Sequence, residues 1–396
     1  MRLISDDERR SRLARRHGLA GRLVGVEAAT EAMTALHATE AATVYLSLWA
    51  RVRDVPTADI DRALYTERTI VKQLAMRRTL FVFPRALLPA ALGSAAARTA
   101  DMLRARLAKD LVAAGLADDA DSAREQLLAA REAVAERLDG GELLPAAQLR
   151  DELPALAGTM TVGGPDKKWG GEQPIAPRLL ALFSAEGTIV RGRNGADWHR
   201  NKPTWTSLPA WLGETVAPLP SAAGYAELVR RWLRTFGPGT TDDLVWWLGG
   251  TKTIVRQALA DIDAAEVALD GAASGWLLAD DVEHVEPVAP WAALLPSLDP
   301  TVMGWKHRHF YLDPALTPYL FDTNGNAGTT AWWNGRIVGA WVQDPDATVR
   351  PIVGEDIGAD GLAALEREAA RLTDWLAGRR ISNVYASQLM KSARLP

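Results

Sequence analysis

One stretch, residues 33–52, constrains the fold of this chain more than any other, because it is apolar on both sides of a short polar break. Met33 and Leu36 share one face of a helix expected over residues 30–36, and Val44, Leu48 and Val52 recur at spacing four on a second helix from about Ala41. Between them stands His37-Ala38-Thr39-Glu40, with polar side chains at a junction whose flanks must be buried. Such a junction is rigid and suits a reacting group. The same residues also read as helix punctuation, with Thr39 the N-cap of the second helix, Glu40 its first-turn acid and His37 a satisfied surface residue.

A chain of 396 residues exceeds one ordinary domain and predicts about two to four. Its hydrophobic content of 48% and charged content of 24% are those of a soluble globular protein. The absence of cysteine removes disulfides, thiolate metal sites and a cysteine nucleophile, and suits a reducing cytoplasm. No apolar run approaches the roughly twenty residues of a membrane span, and the first ten residues lack the apolar core of a signal peptide. Net charge of −4 argues against a general nucleic-acid binder. Charge is uneven, however: Arg62, Arg68, Lys72, Arg77, Arg78 and Arg85 face a single acid, Glu67, between residues 62 and 85. Such a local basic face can bind a phosphate backbone, or simply be a solvated helix.

Along the chain, Ser5 and Glu8 have capping-box spacing and open a helix to about His17. Thr57 caps a helix expected to run to Leu74, with Ile60, Leu64, Val71 and Leu74 as its apolar side, and residues 79–83 read as a strand. Helices follow over 85–114, 121–138, 145–153 and 177–186. The glycine-rich loop at 163–171 lacks the order of a phosphate loop, so no nucleotide site is expected there, although Lys167, Lys168 and Trp169 could touch DNA. Residues 189–195 and 199–205 read as a hairpin with an Asn-Gly turn, bearing Arg191 and Arg193. Helix, Gly249-Gly250 turn, helix follows over 225–262. From Pro287 onward short β-type runs dominate, at 307–312, 329–333, 336–343 and 348–353, with a helix at 361–376 and a last strand near Val384.

Leu36-His37-Ala38-Thr39 followed by Leu48-Trp49-Ala50-Arg51 resembles the entry motif of the AlkZ/YcaQ-type winged-helix DNA glycosylases. The likeness continues in Met76-Arg77-Arg78-Thr79-Leu80 and in residues 294–300, Leu-Leu-Pro-Ser-Leu-Asp-Pro. The family's turn carries Gln-x-Gln or Gln-x-Asp, where this chain has His37 and Thr39. The resemblance implies a mainly α fold with β structure: three tandem winged-helix units and a C-terminal β-barrel. The expected boundaries are 1–93, 94–215, 216–287 and 288–396. It further implies a cytoplasmic, nucleoid-associated monomer that acts on double-stranded DNA, excising alkylated purines without metal or organic cofactor.

An alkylated purine is a cationic leaving group, so an enzyme need only expose the lesion, hold a water beneath C1′ and stabilise an oxocarbenium-like sugar. A neutral His37 is a competent general base, Thr39 can hold the same water, and Glu40 can stabilise the sugar cation or raise the basicity of His37. No lysine occupies the turn, which predicts a monofunctional enzyme. DNA contacts are expected from Arg51, Arg68, Lys72, Arg77, Arg78, Arg191 and Arg193, and from Lys306, His307 and His309 on a basic strand. A metal held by His307 and His309 lacks a third ligand in sequence and is not expected. Asp299 reads as an Asx-turn residue before Pro300. Two other readings stand beside the enzyme: a non-catalytic DNA-binding regulator or lesion sensor, and a protein- or small-molecule-binding module.

Overall fold

β-Branched and aromatic residues between 70 and 84 make the first sheet. In the computed structural model, which describes residues 1–162, 171–271, 274–391 and 395, Ile70–Leu74 and Leu80–Pro84 form an antiparallel hairpin with every residue buried. Leu36–His37 pairs with the free edge of the second strand, Leu36 opposite Val82 and His37 opposite Phe81. Two expectations fail here. The helix begun at Thr57 passes into a π-turn at Arg62–Thr66 and stops, because Arg68 takes a left-handed φ of 57° and Ile70–Leu74 is buried on both faces. A short run buried all round has no period that separates helix from strand. Likewise the first helix of the motif is Val26–Ala32, ended before Thr34 at φ 62°, so His37 lies on a strand.

The same order of elements recurs. Helix Ala120–Leu138, strand Leu144–Pro145, helices Ala146–Glu152 and Ala176–Ala185 and strands Ile189–Asn194 and Pro203–Ser207 build a second sheet, in which the last strand is central. Helices Ser221–Phe236, Thr241–Leu248 and Lys252–Asp261 precede strands Ala265–Leu269 and Ser274–Leu277, which Leu3–Ile4 joins in parallel. Thr240 and Asp243 cap the middle helix reciprocally, and Gly249 ends it at φ 62°.

The C-terminal region holds an open four-stranded antiparallel sheet, Ala292–Leu295, Thr330–Trp333, Arg336–Gln343 and Val349–Val353 in that order, packed on helix Gly358–Leu376. Asn334 and Gly335, both at positive φ, turn its central hairpin. No closed barrel exists among the described residues, because the helix covers the sheet that a barrel would have curled upon itself. Residues 307–312 and those around Val384 are turns rather than strands. One continuous apolar core links all these parts, and a small second cluster of Ile4, Val267, Leu269 and Leu277 lies under the N-terminal strand.

Candidate active site

Helix Ala41–Arg51 is buried along its whole length, so the residues just before it are fixed by the core. Its first amide is capped by Asn201 rather than Thr39: Ala41 N–H donates to Asn201 Oδ1 at 2.9 Å. Glu40 occupies the N-cap position, but its side chain turns toward the C-terminal segment. There Oε1 accepts the amides of Val384 and Tyr385, while Oε2 is buried without a partner. Burial raises the Glu40 carboxyl pKa, and the two amides partly offset that rise. Thr39, half-buried in the bend, makes no side-chain hydrogen bond among the described residues.

The His37 ring lies 4.6 Å from that of Phe81 and is only 4% exposed. Neither ring nitrogen has a partner among the described residues. Burial lowers its pKa well below the ordinary 6.5, and the nearby Arg77 charge lowers it further. His37 is therefore a neutral base at neutral pH. The charge that acts on it is thus Arg77, in the direction opposite to the effect expected of Glu40.

Arg77 and Arg78 form the tip of the first hairpin, both at left-handed φ. Arg78 is exposed, whereas Arg77 lies over the Trp246 ring, 4.1 Å from its centroid, with Nε and Nη2 buried and unpartnered. Burial, followed by the Arg308 charge, lowers the Arg77 pKa to about 10. Gly249 is needed beside this tip. A Cβ there would stand 3.1 Å from the Arg77 nitrogen, in a backbone conformation that already favours glycine.

Several expected DNA contacts are elsewhere. Arg51 is wholly buried and doubly bonded to Asp299 at 2.9 and 2.6 Å, so it ties the motif helix to residues 299–301. Asp299 Oδ1 also accepts the Thr301 amide in the anticipated Asx-turn, and Oδ2 accepts Ser47 Oγ. Lys72 is buried on a strand, its Nζ donating to the Tyr65 hydroxyl at 2.9 Å. Arg68 is half-buried against Trp211, donating to its carbonyl. Arg191 packs on Trp205, with burial lowering its pKa, and Arg193 is exposed but paired with Asp61 at 3.1 Å. Lys306, His307 and His309 are exposed on a turn. Lys167, Lys168 and Trp169 lie outside the described residues. No group of three metal-ligating side chains converges among the described residues. Sequence reasoning missed Asn201, Trp246 and Arg308. Arg308 was hidden because a strand reading of 307–309 turned it away from the two histidines.

The family model for DNA glycosylase AlkZ-like proteins matches residues 30–375, from the helix before His37 to the helix that covers the last sheet. The chain belongs to this family. The AlkZ-like protein is similar in structure to the Streptomyces sahachiroi DNA glycosylase AlkZ, with a TM-score of 0.72 and 18% sequence identity over 94% of this chain and 98% of that one. No curated protein sequence matches it. Membership makes the AlkZ-like chain a DNA glycosylase, a hydrolase that acts on DNA. No helix among the described residues is long and apolar enough to cross a membrane.

Proposed function

We propose that this protein is a monofunctional glycosylase that removes alkylated purines from duplex DNA, with His37 as its general base. The observation that carries this reading is a neutral, rigidly held imidazole whose two nitrogens are free of protein partners at the family's motif turn. A water held by Thr39 attacks C1′, its proton passes to His37, the C1′–N bond breaks, and its electron pair leaves with the purine. Glu40, with Oε2 unpartnered, supplies negative charge toward the sugar cation when ionised. The recurring arrangement of helices and three-stranded sheets supports three winged-helix units; the exposed DNA contacts are Arg78 on the first of them and Lys306, His307 and His309 in the C-terminal region.

The test is release of 7-methylguanine from a methylated duplex, scored as alkali-labile abasic sites. His37→Ala should lose about a hundredfold or more in single-turnover rate while still binding DNA. Full activity in that variant would sink the assignment of His37. The His-x-Thr pair in place of the family's glutamine motif favours one other reading, a lesion sensor that binds without excising. DNA binding by the wild type with no release from methylated or bulkier adducts would select it.

A further inference from the structure

Two guanidinium groups share one indole near His37. Arg77 reaches the Trp246 ring from the first hairpin, and Arg308 lies 5.2 Å from its centroid in the connection between the first two strands of the C-terminal sheet. Arg308 is anchored: its Nε donates to the Val302 carbonyl at 3.1 Å, and its guanidinium carbon lies 4.7 Å from the centroid of the Phe321 ring. Arg308 Nη2 is buried without a partner, as are Arg77 Nε and Nη2.

Nothing among the described residues neutralises this pair. Neither arginine forms an ion pair among the described residues. Asp243, on the Trp246 helix, has both oxygens engaged: Oδ1 accepts the amides of Lys306 and His307, and Oδ2 accepts the amide and hydroxyl of Thr240. Like charges held together, with buried donors unsatisfied and two successive left-handed residues at the hairpin tip, are costly to the fold alone. A single anion with several acceptor oxygens would offset the like charges and satisfy the buried donors at once. Guanidinium forks match phosphate oxygens in both geometry and charge.

We propose that Arg77 and Arg308, fixed on Trp246, form a clamp for one DNA backbone phosphate flanking the nucleotide whose base is removed at His37. The location beside His37 rests on the glycosylase reading; the phosphate clamp itself does not. The flanking duplex would run over the exposed Arg78 and Lys306, which border the clamp in sequence. Arg308 is then a substrate-binding residue that the family motifs in this sequence do not mark.

The experiment measures binding of an undamaged duplex to the full-length wild type, Arg308→Gln and Arg77→Gln across a salt series, beside abasic-site formation on methylated duplex. Arg308→Gln should weaken binding about tenfold to a hundredfold, and reduce the slope of log affinity against log salt by about one. Arg308→Lys, which keeps the charge without the fork, should restore the salt slope but only part of the affinity. Unfolding curves establish that each variant is folded. If Arg77→Gln alone is unstable, Arg308→Gln still decides the matter. Unchanged affinity and slope in folded Arg308→Gln would overturn the clamp. Weakened binding with no abasic sites from the wild type would uphold the clamp and reject methylated purines as the substrate.

Discussion

At the scale of single residues, His37 and Arg51 carry opposite lessons about charge in a protein interior. His37 is kept neutral by burial and by the Arg77 charge, so its proton-accepting form persists to well below pH 6.5. The rate of base release should therefore be flat from about pH 8 through pH 6.5 and fall only in more acidic solution. His37→Gln, which installs an amide that does not titrate, should keep part of the activity and lose the acid limb. A pH–rate profile of both proteins checks this, and a fall beginning near pH 7 in the wild type would contradict it. Arg51, by contrast, is paired in the core: Asp299, Thr301 and the Ser47 carbonyl accept from its two terminal nitrogens. Asp299→Ala leaves that cation buried and unpaired, at a cost of about 3–5 kcal/mol measurable by urea denaturation.

At the scale of elements, the junctions between separate parts of the chain decide more than the elements themselves. The motif helix takes its cap from Asn201, which lies in the loop of the second hairpin. Asn201→Ala should cost about 1 kcal/mol of stability and lower glycosylase activity while the catalytic side chains remain. Gly249→Ala should cost at least about 1 kcal/mol, because the new Cβ meets the Arg77 backbone as well as a strained φ. These junctions also explain what the sequence made legible. Local signals placed the Ser5 N-cap, though Glu8 pairs with arginines rather than closing a capping box, and the Asn334-Gly335 hairpin and the helix–glycine–helix run through Gly249 with little error. The motif turn was legible as a rigid polar junction, though not as a strand edge, because a two-residue strand leaves no period in sequence. Ile70–Leu74 was mistaken for helix since a fully buried run has no polar face to reveal its repeat. Arg51 reads as a DNA contact in the sequence because nothing local announces a partner as distant as Asp299.

At the scale of the whole molecule, stability should depend on pH through two buried imidazoles. His17, between Thr301 Oγ1 and the Thr235 carbonyl, has its pKa lowered well below 6.5, as His37 does. The unfolded chain takes up protons at these histidines as pH falls below 6.5 while the folded chain does not, so stability present above that pH is lost below it. Each should contribute a slope of up to about 1.4 kcal/mol per pH unit between its folded and unfolded values. Urea midpoints at pH 7.5 and 5.5 test this, with His17→Gln as the comparison that should flatten the difference. An equal midpoint at both values would rule it out.

The parallel pairing of Leu3–Ile4 with Ala268 and Leu269, reinforced by Arg12 and Arg16 on Asp281, has a consequence for biosynthesis. On the ribosome, the first strand emerges long before its partner, and the first two sheets must be translated between them. Until then, the early helix holds cations whose acids do not yet exist. The seam between the opening residues and the third sheet is therefore a late step of assembly. A nascent chain arrested before residue 265 should have protease-sensitive opening residues beside an already protected first sheet.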